Sequence, residues 1–166
     1  GSSAAIELGE EALTLLADMG CPLAYEAFDK VKKKVLADPA LRGQVRLLSL
    51  SFDPTHDTPV QMQAYGGDNA RDKALPWHFL TTYSIRFLLP ILADFGQDVD
   101  VELDARGAAT RTRTHMLKVF LLDRRGQVRE IYSAAFLHPE VMVNDLKTLA
   151  LEHAGQALAK GPAAAR

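Results

Sequence analysis

The single cysteine of the chain, Cys21, is the residue best suited to carry chemistry. It is followed directly by Pro22 and then by a helix-like pattern. A helix N-terminus presents free N–H groups and a partial positive charge, and both favour the thiolate form of a thiol placed there. Such a thiolate could act as a nucleophile, a redox group or a metal ligand. A small buried side chain without chemistry is the structural alternative.

Four other residues offer side chains that could act together with Cys21. His115 begins an apolar, strand-like segment, and Met19 places a thioether two residues before the cysteine. Asp53 and Asp57 lie in the polar stretch SFDPTHDTP, where aspartate side chains typically accept backbone N–H groups in turns and at helix caps. Asp53 also follows a predicted central strand directly, so it could lie near a site at the end of that strand.

The remaining histidines have simpler interpretations. His56 and His78 are expected to be solvated, in a turn or at a strand edge. His138 precedes Pro139 at a predicted helix start, and His153 lies in the last helix turn, where positive charge is favourable. None of these four is therefore predicted to be a ligand.

The hydrophobic pattern predicts the elements that must position these residues. Apolar spacing of three and four predicts helices from Pro22 to about residue 36 and over 59–65, 85–95 and 138–154. Strand-like segments cover 45–52, 77–82, 115–123 and 127–133, and the last two form a hairpin. Residues 12–16 suit a short strand, although their flanks also suit a helix. Residues 66–76 and 96–113 are predicted to be loops, the second long and exposed.

This order of elements predicts an α/β fold of the thioredoxin-like type, with a central mixed sheet flanked by helices on both faces. In that layout the loop between the first strand and the first helix carries the reactive group, which places Cys21 there. His115, at a strand start, could then face Cys21 across the site. We expect one domain over residues 1–155 and a flexible tail, rich in alanine, over 156–166.

Composition excludes several classes of function. The 166 residues suffice for one domain with a substantial core. With 19 basic and 21 acidic residues, the chain has no basic footprint for nucleic acid and no polybasic membrane patch. No apolar run reaches the roughly 20 residues that span a bilayer. No signal peptide is visible, but Gly1 and Ser2 resemble the scar of a removed tag, so a natural leader or membrane anchor could precede this sequence.

Four segments together resemble the Sco/SenC family of thioredoxin-like copper proteins of the respiratory chain. They are CPLAYEAFDKV, VRLLSLSFDPTHDTPVQMQAYG, WHFLTT and HMLKVFLLDRRGQVREIY. The family binds copper through two cysteines in a C-x-x-x-C-P motif and one histidine. Cys21 matches the second cysteine and His115 the histidine, whereas Ala17 stands where the first cysteine would be. The resemblance therefore implies a copper site, for Cu(I) or Cu(II), with Cys21 and His115 as ligands. From its position in the sequence, Met19 is a candidate third ligand, and Asp53 and Asp57 are expected around the site.

The resemblance implies a copper metallochaperone rather than an enzyme. The expected partner is a copper-receiving enzyme such as a subunit of cytochrome c oxidase, and the expected location is the periplasm or a membrane anchor that faces it. Two alternatives stay open from the residues alone. One is a thiol redox protein that uses a single cysteine. The other is a binding module that kept the fold and lost the metal.

Overall fold

The computed structural model describes residues 12–19, 22–95, 100–103, 105–106, 109–114 and 118–159. Strands and helices alternate in the first half of the chain, and the second half contains mainly strands and one long helix. In chain order the elements are β1 (Leu13–Asp18), α1 (Pro22–Ala37), β2 (Val45–Leu50), α2 (Pro59–Arg71), β3 (Trp77–Leu80), α3 (Ile85–Asp94), β4 (Asp100–Leu103), β5 (Ala109–Thr114), β6 (Lys118–Leu122), β7 (Val128–Ser133), a short 3-10 helix (Ala134–Phe136) and α4 (Pro139–Ala159).

The main sheet has the strand order β3-β2-β1-β6-β7 and is mixed, as predicted. β1, β2 and β3 are parallel, β6 runs antiparallel to β1, and β7 runs antiparallel to β6. The ends of the three parallel strands, the start of β6 and the end of β7 therefore lie together, at what we call the carboxyl edge. The opposite amino edge holds the loops 38–44, 72–76 and 123–127.

Helices cover both faces of this sheet, which confirms the predicted α/β architecture. Alternate residues of the central strands point to opposite faces, so each face carries its own apolar cluster. Leu15 and Leu47 belong to the cluster that includes buried residues of α1 and α4. Leu16 and Leu48 belong to the cluster that includes buried residues of α3. No helix in the described ranges is long and apolar enough to cross a membrane.

Helix α2 is longer than the sequence predicted, because two glycines that suggested a loop are part of it. Thr58 caps the helix and forms a reciprocal capping box with Gln61. The helix continues to Arg71 across a kink at Gly67, whose φ of 52° suits glycine. A Cβ on Gly66 would lie 2.5 Å from the ring of Phe79, so this glycine allows α2 to pack closely on β3. The predicted loop over 66–76 is therefore wrong in its first half.

Two further expectations are corrected by the structure. The predicted loop 96–113 contains β4 and β5, which pair as a two-stranded antiparallel sheet. The strand signal was present and was missed: β4 alternates Asp100 and Glu102 with Val101 and Leu103, and β5 alternates threonine with arginine. Helix α4 continues to Ala159, five residues beyond its predicted end. A single glycine, Gly155, costs a helix only about 1 kcal/mol, and its neighbours include good helix formers.

Candidate functional site

The described residues that flank the two main predicted ligands lie at the carboxyl edge of the sheet. Cys21 lies outside the described residues, between Met19 and the start of α1 at Pro22. His115 also lies outside them, and β6 begins three residues later at Lys118. Since β6 is antiparallel to β1, with Ala17 opposite Val119, both segments connect to this edge. The pairing of Cys21 with His115 stays a prediction.

Met19 prolongs the pairing of β1 with β2 by one residue. Its backbone N–H donates to the carbonyl oxygen of Leu50 at 2.9 Å, and its residue is half-buried. Asp18, the last residue of β1, is 95% covered, although most aspartates are exposed. Pairing with β2 thus fixes the position of the backbone that precedes Cys21.

Ser51 connects the loop after β2 to its surroundings. Its side chain is fully buried, and its hydroxyl donates to Oδ2 of Asp57 at 2.5 Å while accepting the backbone N–H of Asp53 at 3.0 Å. The backbone N–H of Ser51 donates to the carbonyl oxygen of Leu80 at 2.8 Å, at the end of β3. The predicted turn role of Asp57 therefore takes the form of a bond to a buried hydroxyl rather than to a backbone N–H.

Asp53 and His56 form a pair inside the same loop. Nδ1 of His56 lies 2.9 Å from Oδ1 of Asp53. The carbonyl oxygen of Asp53 also accepts the backbone N–H groups of His56 at 3.1 Å and of Asp57 at 2.9 Å, so the chain turns back on itself here. His56 lies in a turn, as predicted, but it is only partly solvated, because the turn after Asp53-Pro54 brings the imidazole onto the carboxylate. His78 is exposed, as predicted.

A small apolar pocket adjoins these loops. It lies between the ends of β1 and β2, the start of β6 and helix α3, and its lining includes Phe52, Phe95 and Lys118. Within the described ranges, no three or more histidine, cysteine or acidic side chains converge as a metal-binding group. The described side chains at this edge include a thioether, the carboxylates of Asp18, Asp53 and Asp57, a buried hydroxyl and an oriented imidazole.

Sequence reasoning missed two residues of this edge, Ser51 and His56. A signal for the second exists, because an aspartate three residues before a histidine, with proline between them, favours a turn that joins the two side chains. Ser51 carries no comparable signal. Its role depends on the burial of its hydroxyl beside Asp57, and a serine in an apolar strand does not reveal which groups it will meet.

Comparison with known proteins gives one family and a set of similar structures. The family model SCO1/SenC matches residues 18–151. No curated protein matches the chain. A SCO1/SenC family lipoprotein from Bacillus anthracis is 23% identical, with a TM-score of 0.68 over 86% of this chain and 83% of its own. Arabidopsis thaliana ScoI with copper bound is 14% identical, with a TM-score of 0.65 and 86% of each chain covered.

A third similar structure is BsSco, described as a member of the Sco family of cytochrome c oxidase assembly proteins. It is 21% identical, with a TM-score of 0.60 over 86% of this chain and 82% of its own. At these identities the likeness concerns the fold. Together with the strand order, it confirms the predicted thioredoxin-like fold.

Proposed function

This chain belongs to the SCO1/SenC family, and we propose on that basis that it binds copper and delivers it to a copper enzyme. The family match carries the proposal, because it spans both Cys21 and His115. The copper held by the Arabidopsis structure supports it. The proposed ligands are the thiolate of Cys21 and the imidazole of His115, with the thioether of Met19 as the third.

The chemistry of this ligand set suits copper better than hard cations. Thiolate and thioether are soft ligands that select Cu(I), and imidazole also binds copper well. The thiol must lose its proton to bind, so copper affinity is expected to fall as the pH falls. The chain's own residues thus supply soft ligands on a loop that β1 and α1 hold at both ends.

Ala17 distinguishes this chain from the two-cysteine pattern of its family. It lies within β1, only 2% exposed, and packs in the core cluster beside α1 and α4. With one cysteine in the chain, no dithiol can form within it. We therefore propose transfer of copper without an internal disulfide step. A metal-free binding module is the second candidate, and the buried Ala17 is the observation that favours it.

The proposed recipient is a copper-dependent oxidase, and the proposed place of action is the periplasm or the outer face of a membrane. BsSco, a member of the Sco family of cytochrome c oxidase assembly proteins, supports the first point. The lipoprotein from Bacillus anthracis supports the second. The proposed role is that of a carrier of copper rather than of an enzyme.

Copper titration of ligand variants tests this proposal. Reduced protein is titrated with Cu(I) against a competing chelator, and with Cu(II) by electron paramagnetic resonance, for the wild type, Cys21→Ala and His115→Ala. We expect each substitution to weaken Cu(I) binding at least about tenfold, which is about 1.4 kcal/mol. Met19→Leu, which keeps the volume of the side chain, should weaken it less.

His78→Ala is the matched control, because His78 is an exposed histidine of β3 outside the proposed ligand set. It should leave Cu(I) affinity unchanged. Binding that survives both Cys21→Ala and His115→Ala without change would overturn the proposed ligands. A wild type that binds no copper would favour the metal-free module.

A further inference from the structure

The imidazole of His56 is oriented by a carboxylate in the manner of a metal ligand. A carboxylate can only accept a hydrogen bond, so Nδ1 of His56, at 2.9 Å from Oδ1 of Asp53, carries the ring proton in this contact. In the neutral ring, Nε2 then carries the lone pair. Histidines that bind metals typically donate their other ring N–H to a carboxylate or carbonyl, which fixes the tautomer and raises ligand basicity.

The turn that carries this pair is constrained on both sides of the imidazole. Two backbone N–H groups, those of His56 and Asp57, donate to the carbonyl oxygen of Asp53. On the other side, the backbone N–H of Asp53 donates to the hydroxyl of the fully buried Ser51. The imidazole is therefore fixed through its carboxylate partner to the sheet.

The accessible part of the pair is the imidazole. The side chain of Asp53 is 19% exposed, and that of His56 is 36% exposed. No described residue forms a hydrogen bond with Nε2 of His56. A lone pair is thus presented to solvent by an oriented ring in the loop that follows β2, and the last residue of β2, Leu50, accepts the backbone N–H of Met19.

We propose that Nε2 of His56 is a further copper ligand, which captures Cu(II) at the carboxyl edge independently of Cys21 and His115. Its biological role, which is to be the first contact for incoming copper, rests on the proposed copper-carrier function. The ligation itself does not, because imidazole binds borderline divalent metals on any scaffold. A single oriented imidazole binds weakly and exchanges quickly, and both properties suit a site from which copper moves on.

The test uses the full chain with Cys21→Ala and His115→Ala combined, so that the proposed main ligands are absent. Cu(II) chloride is added in substoichiometric steps, and the paramagnetic broadening of each histidine ring signal is followed by NMR. We expect the His56 signals to broaden at about tenfold lower Cu(II) than those of His78, which has no such carboxylate partner among the described residues.

Asp53→Asn separates ligation from mere turn formation. The asparagine oxygen can still accept the Nδ1 proton, so the turn should survive, as the amide spectrum will show. The preference of Cu(II) for His56 over His78 should fall about tenfold, because the charged partner is lost. His56→Ala should remove the first-broadened signals and leave the order among the other histidines unchanged.

Two outcomes overturn the inference. One is equal broadening of His56 and His78 at the same Cu(II) concentration, and the other is a preference for His56 that Asp53→Asn leaves intact. Neither depends on Cu(I) binding by the wild type. Failure of the proposed function, read from Cu(I) titration, is therefore distinguishable from failure of His56 as a ligand.

Discussion

Both edges of the sheet carry aspartates in their loops, but the partners of those aspartates differ. At the amino edge the aspartates of three loops share one arrangement: Oδ1 accepts the backbone N–H of the residue two positions later, at 2.9 Å in each loop, and Oδ2 faces a lysine or arginine. The three sets are Asp38 with Ala40 and Lys147, Asp72 with Ala74 and Lys32, and Asp123 with Arg125 and Arg129.

At the carboxyl edge, Asp57 and Asp53 have hydrogen-bond partners that are not permanently charged. Asp57 accepts from the hydroxyl of Ser51, and Asp53 contacts the imidazole of His56. A carboxylate that closes a turn and neutralises a cation has most of its acceptors occupied, so it stabilises a loop and offers little chemistry. A carboxylate that accepts a hydrogen bond from one nitrogen of an imidazole fixes the tautomer and makes the other ring nitrogen a more basic ligand. The amino edge thus closes the fold, and in our proposal the carboxyl edge presents ligands.

The largest expected effect on stability lies at the carboxyl edge. Asp57→Ala leaves the fully buried hydroxyl of Ser51 without its acceptor, and an unsatisfied buried donor costs about 1–3 kcal/mol. We expect the free energy of unfolding, measured by urea denaturation, to fall by that amount. Asp57→Asn, whose amide oxygen can still accept, should lose less.

The control for Asp57→Ala is Asp68→Ala, which removes a fully exposed aspartate that, among the described residues, pairs only with Arg71 on the surface of α2. It should change the free energy of unfolding by less than about 0.5 kcal/mol. Equal losses for Asp57→Ala and Asp68→Ala would show that burial of Ser51 does not distinguish the carboxyl edge.

Much of the fold was predictable because its buried strands and helices carry apolar residues at the spacing typical of each element. The apolar segments that became β2 and β6 and the helical spacing of α1 match elements that the structure buries. The errors lie in short strands and at glycines. The alternation of Val101 and Leu103 in β4 spans only four residues and was interpreted as a loop, and α2 continues through Gly66, which packs on Phe79, and the kink at Gly67.

In the candidate site, only the residues that belong to a motif or a predicted element could be proposed from the sequence. Cys21 and His115 were chosen from a motif and a predicted strand start, and their place in one site stays a prediction, although the described residues that flank them lie at one edge of the sheet. The contacts of Ser51 and His56 could not be predicted, because they depend on the three-dimensional path of one eight-residue loop. A sequence shows which side chains such a loop contains, but the hydrogen bonds follow from how it turns.

A smaller effect is expected from the ion pair of Asp72 at the amino edge. Nζ of Lys32, whose side chain is only 10% exposed, lies 2.7 Å from Oδ2 of Asp72. The hydrogen bond from Lys32, followed by that from the backbone of Ala74, holds the pKa of Asp72 below its usual 3.8. This contribution is present above pH 3.8 and is lost as the pH falls through the lower folded pKa.

Asp72→Asn tests that contribution, because its amide oxygen can keep the bond from Ala74 while the charge is removed. The difference in unfolding free energy between the wild type and Asp72→Asn should be constant between pH 5 and 7 and should shrink below about pH 3.8. The loss at pH 7 should be smaller than for Asp57→Ala, since Lys32 keeps its bond to Asn69. A difference that does not change with pH would contradict the ionic role.

The smallest effect should come from Arg129 and Glu152, which join β7 to α4 near the amino edge. Nη2 of Arg129 lies 2.9 Å from one carboxylate oxygen of Glu152, and both side chains are about 40% exposed. The pair raises the pKa of Arg129, yet an exposed ion pair gains little over its hydrated parts. Glu152→Gln should lower the thermal midpoint slightly at low salt, and not at all in about 1 M salt, where the Debye length is about 3 Å. A loss that matched Asp57→Ala and survived high salt would show that this surface contact holds the amino edge as firmly as buried hydrogen bonds hold the carboxyl edge. The two edges would then differ in their partners but not in what those partners do for the fold.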